Sequence, residues 1–544
     1  MDRFSISGHI VDLFRNTVFP GTVWIQDGCI QAIAQDETPH NDQYILPGFV
    51  DAHIHIESSM LPPSEFARLA TIQGTVAVVS DPHEIANVLG LEGVRFMVAN
   101  AAQTPFEIAF GAPSCVPATF FETAGAELTA RDIRILFEED GLTYLSEMMN
   151  VPGVLNQDPG VMEKLHTAQS FGCPIDGHAP GLMGAQAHQY ASAGITTEHE
   201  CLRLQEALDK LDAGMKILIR EGSAAQNFEM LHSLIETHHD LCMFCSDDKH
   251  PDALVHGHIN TLVQRAVSLG HDVMKVLQVA CLNPVRHYGL KVGLLQVGDP
   301  ADFIAVNNLQ SFEVRQTYCK GQLVAKEGQP LLPRIPIQPI NQFVAQPLTS
   351  EAFRLPADGA KNVRVIEALN GELVTSERIE PAPIVDGEIQ SDVSRDILKI
   401  AVVNRYAIVP PAVALIHNFN LQRGAIASSV AHDSHNIVAV GATDAELCAA
   451  VNAVIRSKGG IAIAKGDDIE VLELPIAGLM STEDGFQVAE QYSRMDAHVK
   501  RLGSQLSAPF MTLSFMALLV IPDLKLSDRG LFSGQDFHFV PLCL

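Results

Sequence analysis

The feature that most constrains the fold is a unit of apolar strand, polar loop and helix that recurs between residues 46 and 305. The units include VAVVSDPHEIANVLG, LTYLSEMMN, CPIDGHAPGL, ITTEHECL and LCMFCSDDKHP. Repeated βα units predict a parallel sheet covered by helices. About eight units favour a closed (β/α)₈ barrel over an open sheet, because no glycine-rich dinucleotide turn follows an early strand.

The segments on either side of this region have a different pattern. Residues 1–45 alternate short apolar stretches with Gly and Asp turns, which is typical of small strands in hairpins, and residues 306–335 return to that pattern. We expect these two segments to pair as one small composite β-domain. A proline-rich linker follows, and residues 345–544 mix strands and helices, which predicts a separate C-terminal α+β domain.

Charge and hydropathy exclude several classes of partner. The chain has 36 Lys and Arg against 64 Asp and Glu, and it contains no basic run that could follow a phosphate backbone. The N-terminus lacks the cationic stretch and apolar region of a secretory signal, and the longest apolar run, around residues 516–521, is too short to span a membrane. We therefore expect a cytoplasmic protein that binds neither nucleic acid nor a membrane.

The cysteines do not indicate a disulfide framework. The 10 cysteines are scattered singly through apolar stretches, apart from one CxxC formed by Cys242 and Cys245. That motif lies in a run that reads as a buried strand, where residues three apart point to opposite faces, and no second CxxC accompanies it. We interpret the cysteines as reduced core thiols.

Polar residues that could bind metal follow one predicted strand after another. Catalytic groups of such barrels lie at the C-terminal ends of the strands. His53 and His55, two apart on the first strand, place both imidazoles on one face. Four further strand-end residues complete a set that could hold two divalent cations with a hydroxide between them: Glu147, His178, His199 and Asp247.

Two other polar clusters lie at positions where they could serve the same site. Asp81, His83 and Glu84 follow the second strand; they either support the ligands or hold an extra metal, or else they cap the following helix. The loop SSVAHDSHN of the C-terminal domain carries His432, Asp433 and His435, which form either a lid over the barrel mouth or a self-satisfied turn. A second HxH, His256 and His258, precedes helix-like sequence and is interpreted as a supporting or surface pair.

These motifs carry a family resemblance. PGFVDAHIHIES, the strand-end ligands and NPVRHYGL with VGLLQVGDPADFIAV resemble the amidohydrolase superfamily, whose members combine a metal-dependent barrel with a small composite β-domain. SDPHEIANVLG, SEMMN, DGHAPGL, TTEHE, SDDKHP and GAIASSVAHDSHNIVAVG resemble the large, two-metal bacterial adenine deaminases more specifically. The predicted fold class is therefore α/β, a metal-dependent (β/α)₈ TIM barrel with a composite β-domain and a C-terminal α+β domain.

The resemblance implies a function and a set of roles. It implies hydrolytic deamination of adenine, a small purine, to hypoxanthine in purine salvage, by a homo-oligomer. It also implies two divalent metal ions per chain, manganese first and iron or zinc as alternatives. The six strand-end residues match the family's metal ligands, with Glu147 where many relatives carry a carboxylated lysine.

In the expected reaction, Asp247 takes the proton of a metal-bridging hydroxide that attacks C6 and passes it toward the leaving ammonia. The proton for the ring nitrogen N1 could come from Glu200, Glu122 or Asp248, and the sequence does not choose between them. Two alternative functions remain at this stage. One is an amidohydrolase that acts on a different base or a cyclic amide, and the other is a non-catalytic barrel scaffold.

Overall fold

Four strands open the chain in the structure, a computed structural model that describes residues 3–38, 41–223 and 225–544. They are β1 (Arg3–Asp12), β2 (Thr17–Gln26), β3 (Cys29–Gln35) and β4 (Tyr44–Pro47). Asp27 and Gly28 join β2 to β3 with positive φ values of 53° and 80°, the conformation that a two-residue hairpin turn requires.

Eight parallel strands follow and form the wall of a barrel. They are β5 (Phe49–Ile54), β6 (Thr75–Ser80), β7 (Glu107–Ala112), β8 (Tyr144–Met148), β9 (Ile175–Gly177), β10 (Thr197–Glu198), β11 (Lys216–Arg220) and β12 (Cys242–Cys245). Each pairs in parallel with its neighbour from β5 to β9 and from β10 to β12. Most are buried on both faces, which explains why they read as continuous apolar runs.

Backbone hydrogen bonds close this wall on itself. The Thr196 amide donates to the Ile175 carbonyl over 2.8 Å and joins β9 to the β10 end. Residues that follow β12 return to β5, since the Asp247 amide donates to the His53 carbonyl over 2.9 Å and Asp247 forms a parallel bridge with Ile54. The predicted α/β class is confirmed, and the closure brings the first and last strand ends together.

Helices cover the outside of the barrel. In the amphipathic helix Ile259–Ser268, Ile259, Leu262, Val263 and Ala266 are buried, a spacing that puts one apolar face on the sheet. The helices of this region are α1 (Pro63–Ile72), α2 (His83–Leu89), α3 (Leu91–Ala101), α4 (Ala130–Glu138), α5 (Val151–Leu155), α6 (Pro159–Ser170), α7 (Gly184–Ser192), α8 (Leu204–Asp212), α9 (Phe228–Leu231), α10 (Leu234–His238), α11 (Pro251–His256), α12 (Ile259–Ser268), α13 (Val273–Leu277) and α14 (Asn283–Tyr288). No helix of the described residues has the length and apolar character needed to cross a membrane.

The leader strands share a sheet with strands that come after the barrel. These are β13 (Phe303–Val306), β14 (Val314–Cys319), β15 (Gln322–Lys326) and β16 (Gln329–Pro330). The sheet order is β16-β15-β14-β13-β4-β1-β2-β3, with β13 antiparallel to β4. The last barrel helix ends at Tyr288, and the strand that follows it, β13, belongs to this sheet and not to the barrel.

A second large sheet builds the C-terminal part, after residues 333–349, which form neither helix nor strand. The strands of this part are β17 (Leu355–Pro356), β18 (Asn362–Ala368), β19 (Thr375–Pro381), β20 (Ile384–Val385), β21 (Glu388–Ile389), β22 (Leu398–Val403), β23 (Ala412–His417), β24 (Ala425–Ser428), β25 (Ile437–Gly441), β26 (Gly460–Lys465), β27 (Asp468–Glu473), β28 (Leu524–Ser527), β29 (Gly530–Ser533) and β30 (His538–Phe539). The order of strands in the large sheet is β19-β18-β23-β22-β25-β24-β26-β27, and β28-β29-β30 and β17-β21-β20 form two small sheets. The helices are α15 (Asp444–Ser457), α16 (Gly485–Arg501) and α17 (Pro509–Ser514).

This C-terminal part packs on the barrel through apolar and charged contacts. One continuous buried apolar cluster includes barrel residues such as Leu61 and Leu69 together with Val488 of α16. At its edge, Arg68 of α1 donates to Asp484, directly before α16, over 2.8 Å. The two parts therefore share a core.

The CxxC and the second HxH have structural positions. Cys242 and Cys245 both lie in buried β12, where burial raises the pKa of each thiol. His256 is exposed at the end of α11, whereas His258 is fully buried. The His258 ring bonds to Asp51 over 2.7 Å and to Thr75 over 2.7 Å.

The second HxH pair, His256 and His258, allows a test of whether the buried contact between His258 and Asp51 stabilises the barrel. We expect His258→Ala to lower the free energy of unfolding by about 3 kcal/mol, because it leaves the buried Asp51 carboxylate without one of its donors. His256→Ala is the matched control, and it should change the free energy by less than about 0.5 kcal/mol. Urea unfolding followed by circular dichroism measures both; equal midpoints would show that the buried contact does not stabilise the barrel.

Candidate metal centre and active site

The six strand-end residues that the sequence analysis selected converge at one end of the barrel. His53 and Glu147 lie within β5 and β8, His55, His178 and His199 follow β5, β9 and β10 directly, and Asp247 lies two residues after β12. All six side chains are buried. Because the strands are parallel and the barrel is closed, residues that are far apart in sequence end at the same rim.

Glu147 lies at the centre of this group. Its Oε1 is 3.4 Å from His55 Nε2, and its Oε2 is 3.1 Å from His199 Nε2 and 2.9 Å from His178 Nδ1. Burial alone would raise its pKa, but these histidines, His178 first, hold the pKa of Glu147 well below its usual range. The Glu147 carboxylate therefore faces His55 through one oxygen and both His178 and His199 through the other.

Asp247 completes the group from the opposite wall. Its Oδ1 is 3.1 Å from His55 Nε2 and 3.7 Å from His53 Nε2. Its backbone adopts a φ of 53°, in the left-handed region that residues other than glycine rarely occupy. Backbone bonds to the His53 carbonyl and from the His55 amide hold it there. Such local strain is typical of functional sites.

The donor set fits divalent cations. Among the described residues, both ring nitrogens of His53 are buried without a hydrogen-bond partner. Unpaired buried nitrogens are costly unless something absent from the protein atoms binds them. Several trios here have ligand atoms within 4.8 Å of one another, including His53/His55/Asp247 and His53/Glu147/His199. Imidazole and carboxylate ligands suit manganese, iron or zinc.

Two of the three candidate proton donors border the ligands. Glu200 Oε1 lies 3.7 Å from His199 Nε2 and 3.8 Å from His178 Nδ1. Asp248 accepts a hydrogen bond of 2.5 Å from Ser58 Oγ, and burial raises the pKa of Asp248.

The third candidate, Glu122, occupies a different position. It lies in the loop between β7 and α4, is buried, and has a Ser434 hydroxyl beside it. Burial, and then the charge of Asp433, raise its pKa well above the usual range. The structure thus places Glu122 beside the C-terminal loop.

The cluster after β6 supports the ligands and also begins a helix. Asp81 accepts from the His83 amide over 3.0 Å and bonds to the His83 ring over 3.0 Å, while its carbonyl oxygen lies 3.1 Å from His55 Nδ1. His83 Nδ1 is 3.5 Å from Glu147 Oε1. Asp81 therefore contacts the candidate ligand His55 through its carbonyl oxygen and the first amide of α2 through its side chain.

The C-terminal loop reaches this cluster. His432 Nδ1 lies 2.5 Å from Glu84 Oε1, and His435 Nε2 contacts the other Glu84 oxygen. Asp433 Oδ1 is 3.9 Å from His83 Nε2. The ring of His432 stacks on Phe515 at 4.5 Å between centroids. The loop residues are buried and contact Glu84 of the barrel, and the loop also bonds within itself, since the His435 amide donates to the Ala431 carbonyl over 2.7 Å.

Sequence reasoning missed Arg220, the last residue of β11. Its guanidinium lies 2.5 Å from Asp247 Oδ2 and also pairs with Glu200. Because β11 lies between β10 and β12, a cation at its end reaches a carboxylate on each side. The strand-end rule that selected the ligands would have found it, since KILIREGSA ends an apolar strand in a charged residue.

Comparisons with known proteins agree with this arrangement. The amidohydrolase family model matches residues 44–324, and the adenine deaminase C-terminal domain model matches residues 372–538. The adenine deaminase of Salinibacter ruber is 55% identical over 539 residues, covering 99% of this chain and 98% of that protein. That of a Sulfurovum species is 53% identical, covering 99% of each, and that of Methanosarcina mazei is 49% identical, covering 98% of each. The chain therefore belongs to the adenine deaminase family of the amidohydrolases.

Proposed function

We propose that this protein is a metal-dependent aminohydrolase that converts adenine and water to hypoxanthine and ammonia. The observation that carries this function is the buried Glu147 carboxylate facing histidines from three strands, in a chain whose relatives named adenine deaminase align along its whole length. No feature of the site favours a non-catalytic scaffold, because every expected ligand is present.

Two divalent cations fit the donor set. His53, His55 and Asp247 would hold one, His178 and His199 the other, and Glu147 would bridge them. Bound there, the ions would lower the pKa of a water molecule to roughly 7 and so supply the nucleophile for C6 of the base. Manganese is the preferred metal, as the family resemblance implies, with iron and zinc as alternatives.

The protein's own groups would handle the protons. Asp247 Oδ1, among the first two histidines, is the acceptor for the proton of the attacking water, while Arg220 holds Oδ2 on the other side. From Asp247 the proton would pass to the leaving amine. Glu200 borders His178 and His199, but its pairing with Arg220 favours the ionised form. Asp248 is therefore the preferred donor to N1, because burial raises its pKa.

Ammonia release tests the function. Apoprotein prepared with a chelator should release no ammonia from adenine, and addition of two equivalents of Mn²⁺ should restore turnover. Guanine, cytosine and dihydroorotate should be turned over at least about 10²-fold less efficiently. A matched control is the His53→Ala/His55→Ala variant, which we expect to fold but to bind less than two metals per chain by elemental analysis. Efficient turnover of another substrate instead of adenine would replace the function proposed here.

The bridging role of Glu147 has its own test. Glu147→Gln removes the negative charge that lets two cations lie close together, so metal content should fall below two per chain and adenine turnover should drop by about 10²-fold or more. Glu163→Gln, at an exposed position on α6, is the control. Two metals per chain with unchanged turnover in Glu147→Gln would place the bridge elsewhere.

Participation of the C-terminal loop is tested by His432→Ala/His435→Ala. Both rings bind Glu84 at the mouth, so their loss should lower kcat for adenine by roughly 10²-fold, with metal content intact. His538→Ala, exposed in the same part of the chain, should leave kcat unchanged. Wild-type kcat and KM in the double variant would make the loop a structural cover, and loss of metal would make it a source of ligands.

A further inference from the structure

A buried carboxylate oxygen at the barrel mouth lacks a donor. Among the described residues, Oδ2 of Asp433 has no hydrogen-bond partner, although the residue is only 3% exposed. The Glu122 carboxyl, also 3% exposed, has a Ser434 hydroxyl beside it. A buried carboxylate without donors is strongly unfavourable, so the Asp433 oxygen marks a place that a hydrogen-bond donor should fill.

The two carboxylates are held so that neither can turn to solvent. Thr123, next to Glu122, bonds to Asp528 through its amide over 2.9 Å and its hydroxyl over 2.7 Å. The Asn436 amide donates to the Thr123 carbonyl over 2.9 Å. The loop after β7 is thereby fixed to the C-terminal part, so Glu122 and Asp433 both stay buried where the two parts meet.

The neighbouring carboxylate of Glu84, in contrast to Asp433, has a partner on each of its oxygens. Glu84 binds His432 through one oxygen and His435 through the other, so its charge is balanced within the protein. Asp433 Oδ1 lies 3.9 Å from His83 Nε2, and its Oδ2 has no hydrogen-bond partner among the described residues. The histidines of the loop therefore serve Glu84, and Asp433 is left for another partner.

Asp433 also lies close enough to the candidate metal ligands to contact a base that reacts there. The His83 ring separates it from Glu147, since one ring nitrogen is 3.5 Å from Glu147 Oε1 and the other 3.9 Å from Asp433 Oδ1. A purine whose six-membered ring reacts beside Glu147 would present its imidazole N–H to Asp433 if its five-membered ring extends across His83 toward the C-terminal loop.

We propose that Asp433, with Glu122 behind it, accepts a hydrogen bond from the imidazole N–H of the free purine base and so makes the site specific for bases over N9-substituted purines. This inference rests on the proposed deamination of adenine and adds its specificity. A substituent at N9 removes the N–H donor and leaves the carboxylate buried and unpaired, which is the condition under which a site rejects an analogue strongly.

The test compares adenine with 9-methyladenine, which has no imidazole N–H. Manganese-loaded wild-type protein should prefer adenine by about 10³-fold or more in kcat/KM. Asp433→Ala should lower kcat/KM for adenine while leaving that for 9-methyladenine equal or higher, so that the preference falls below about 10-fold. A purely structural role would lower both substrates together. Asp467→Ala, at an exposed aspartate of the same part of the chain, is the control and should keep the full preference.

Several outcomes would overturn the proposal. One is a wild-type enzyme that accepts 9-methyladenine within 10-fold of adenine, and another is an Asp433→Ala variant that keeps the wild-type preference. Elemental analysis gives a third: three metals per chain in wild type and two in the variant would make Asp433 a cation ligand with His83 and Glu84, whose ligand atoms lie within 4.8 Å of it.

Isosteric variants keep the test valid if Asp433→Ala does not fold. Asp433→Asn and Glu122→Gln preserve shape and should each reduce the preference at least about 10-fold; full preference in both contradicts the proposal. Failure of the deamination itself looks different, because wild-type protein would then release no ammonia from adenine under any metal loading. Failure of the specificity alone leaves adenine turnover intact.

Discussion

The rest of the site depends on the contacts between the Glu147 carboxylate and the histidines around it. It is buried at the centre of a closed barrel, with His55 on one oxygen and His178 and His199 on the other. Burying so many charged and polar groups is costly, and positive ions bound between them would offset that cost. The unpaired ring nitrogens of His53 would suit such ions, in keeping with the metal-dependent family to which the chain belongs.

A second set of buried polar groups holds the ligands in place from below and from the sides. Asp51 accepts from the Ser246 amide over 3.0 Å and from His258, so it joins the strand of His53 to the strand of Asp247. Lys210 bonds to Glu206 over 2.7 Å and to the Ala179 carbonyl, next to His178. These contacts fix the loops that carry the ligands, which is how a rigid scaffold positions reactive groups.

The C-terminal part changes an open barrel mouth into an enclosed site. Glu84 from the barrel takes a histidine from the C-terminal loop on each of its oxygens, so the closure is an ionic contact as well as an apolar one. The shared apolar cluster and the Arg68–Asp484 pair keep this cover in register with the barrel. Excluding water in this way strengthens every electrostatic interaction inside, which a hydrolytic deamination needs when it protonates a ring and a leaving amine.

The class of fold and the strand-end residues of the candidate site can both be predicted from the sequence. Buried parallel strands read as continuous apolar runs, and a residue such as His178 or Asp247 stands out because it is polar where such a run stops. The pattern is local, so no contact had to be known. Arg220 ends its apolar strand in the same way, so the same local rule also selects it.

Which distant groups meet depends on how the chain folds in three dimensions. The pairing of Glu84 with His432 joins residues 348 positions apart, and the pairing of Asp51 with His258 joins residues 207 apart. The contact of the C-terminal loop with Glu84 depends on how the C-terminal part packs on the barrel, and no local pattern encodes that. The same holds for Asp433, whose Oδ2 is seen to lack a donor only when its neighbours among the described residues are in place, because hydrogen-bond satisfaction is a property of the folded interior and not of the chain.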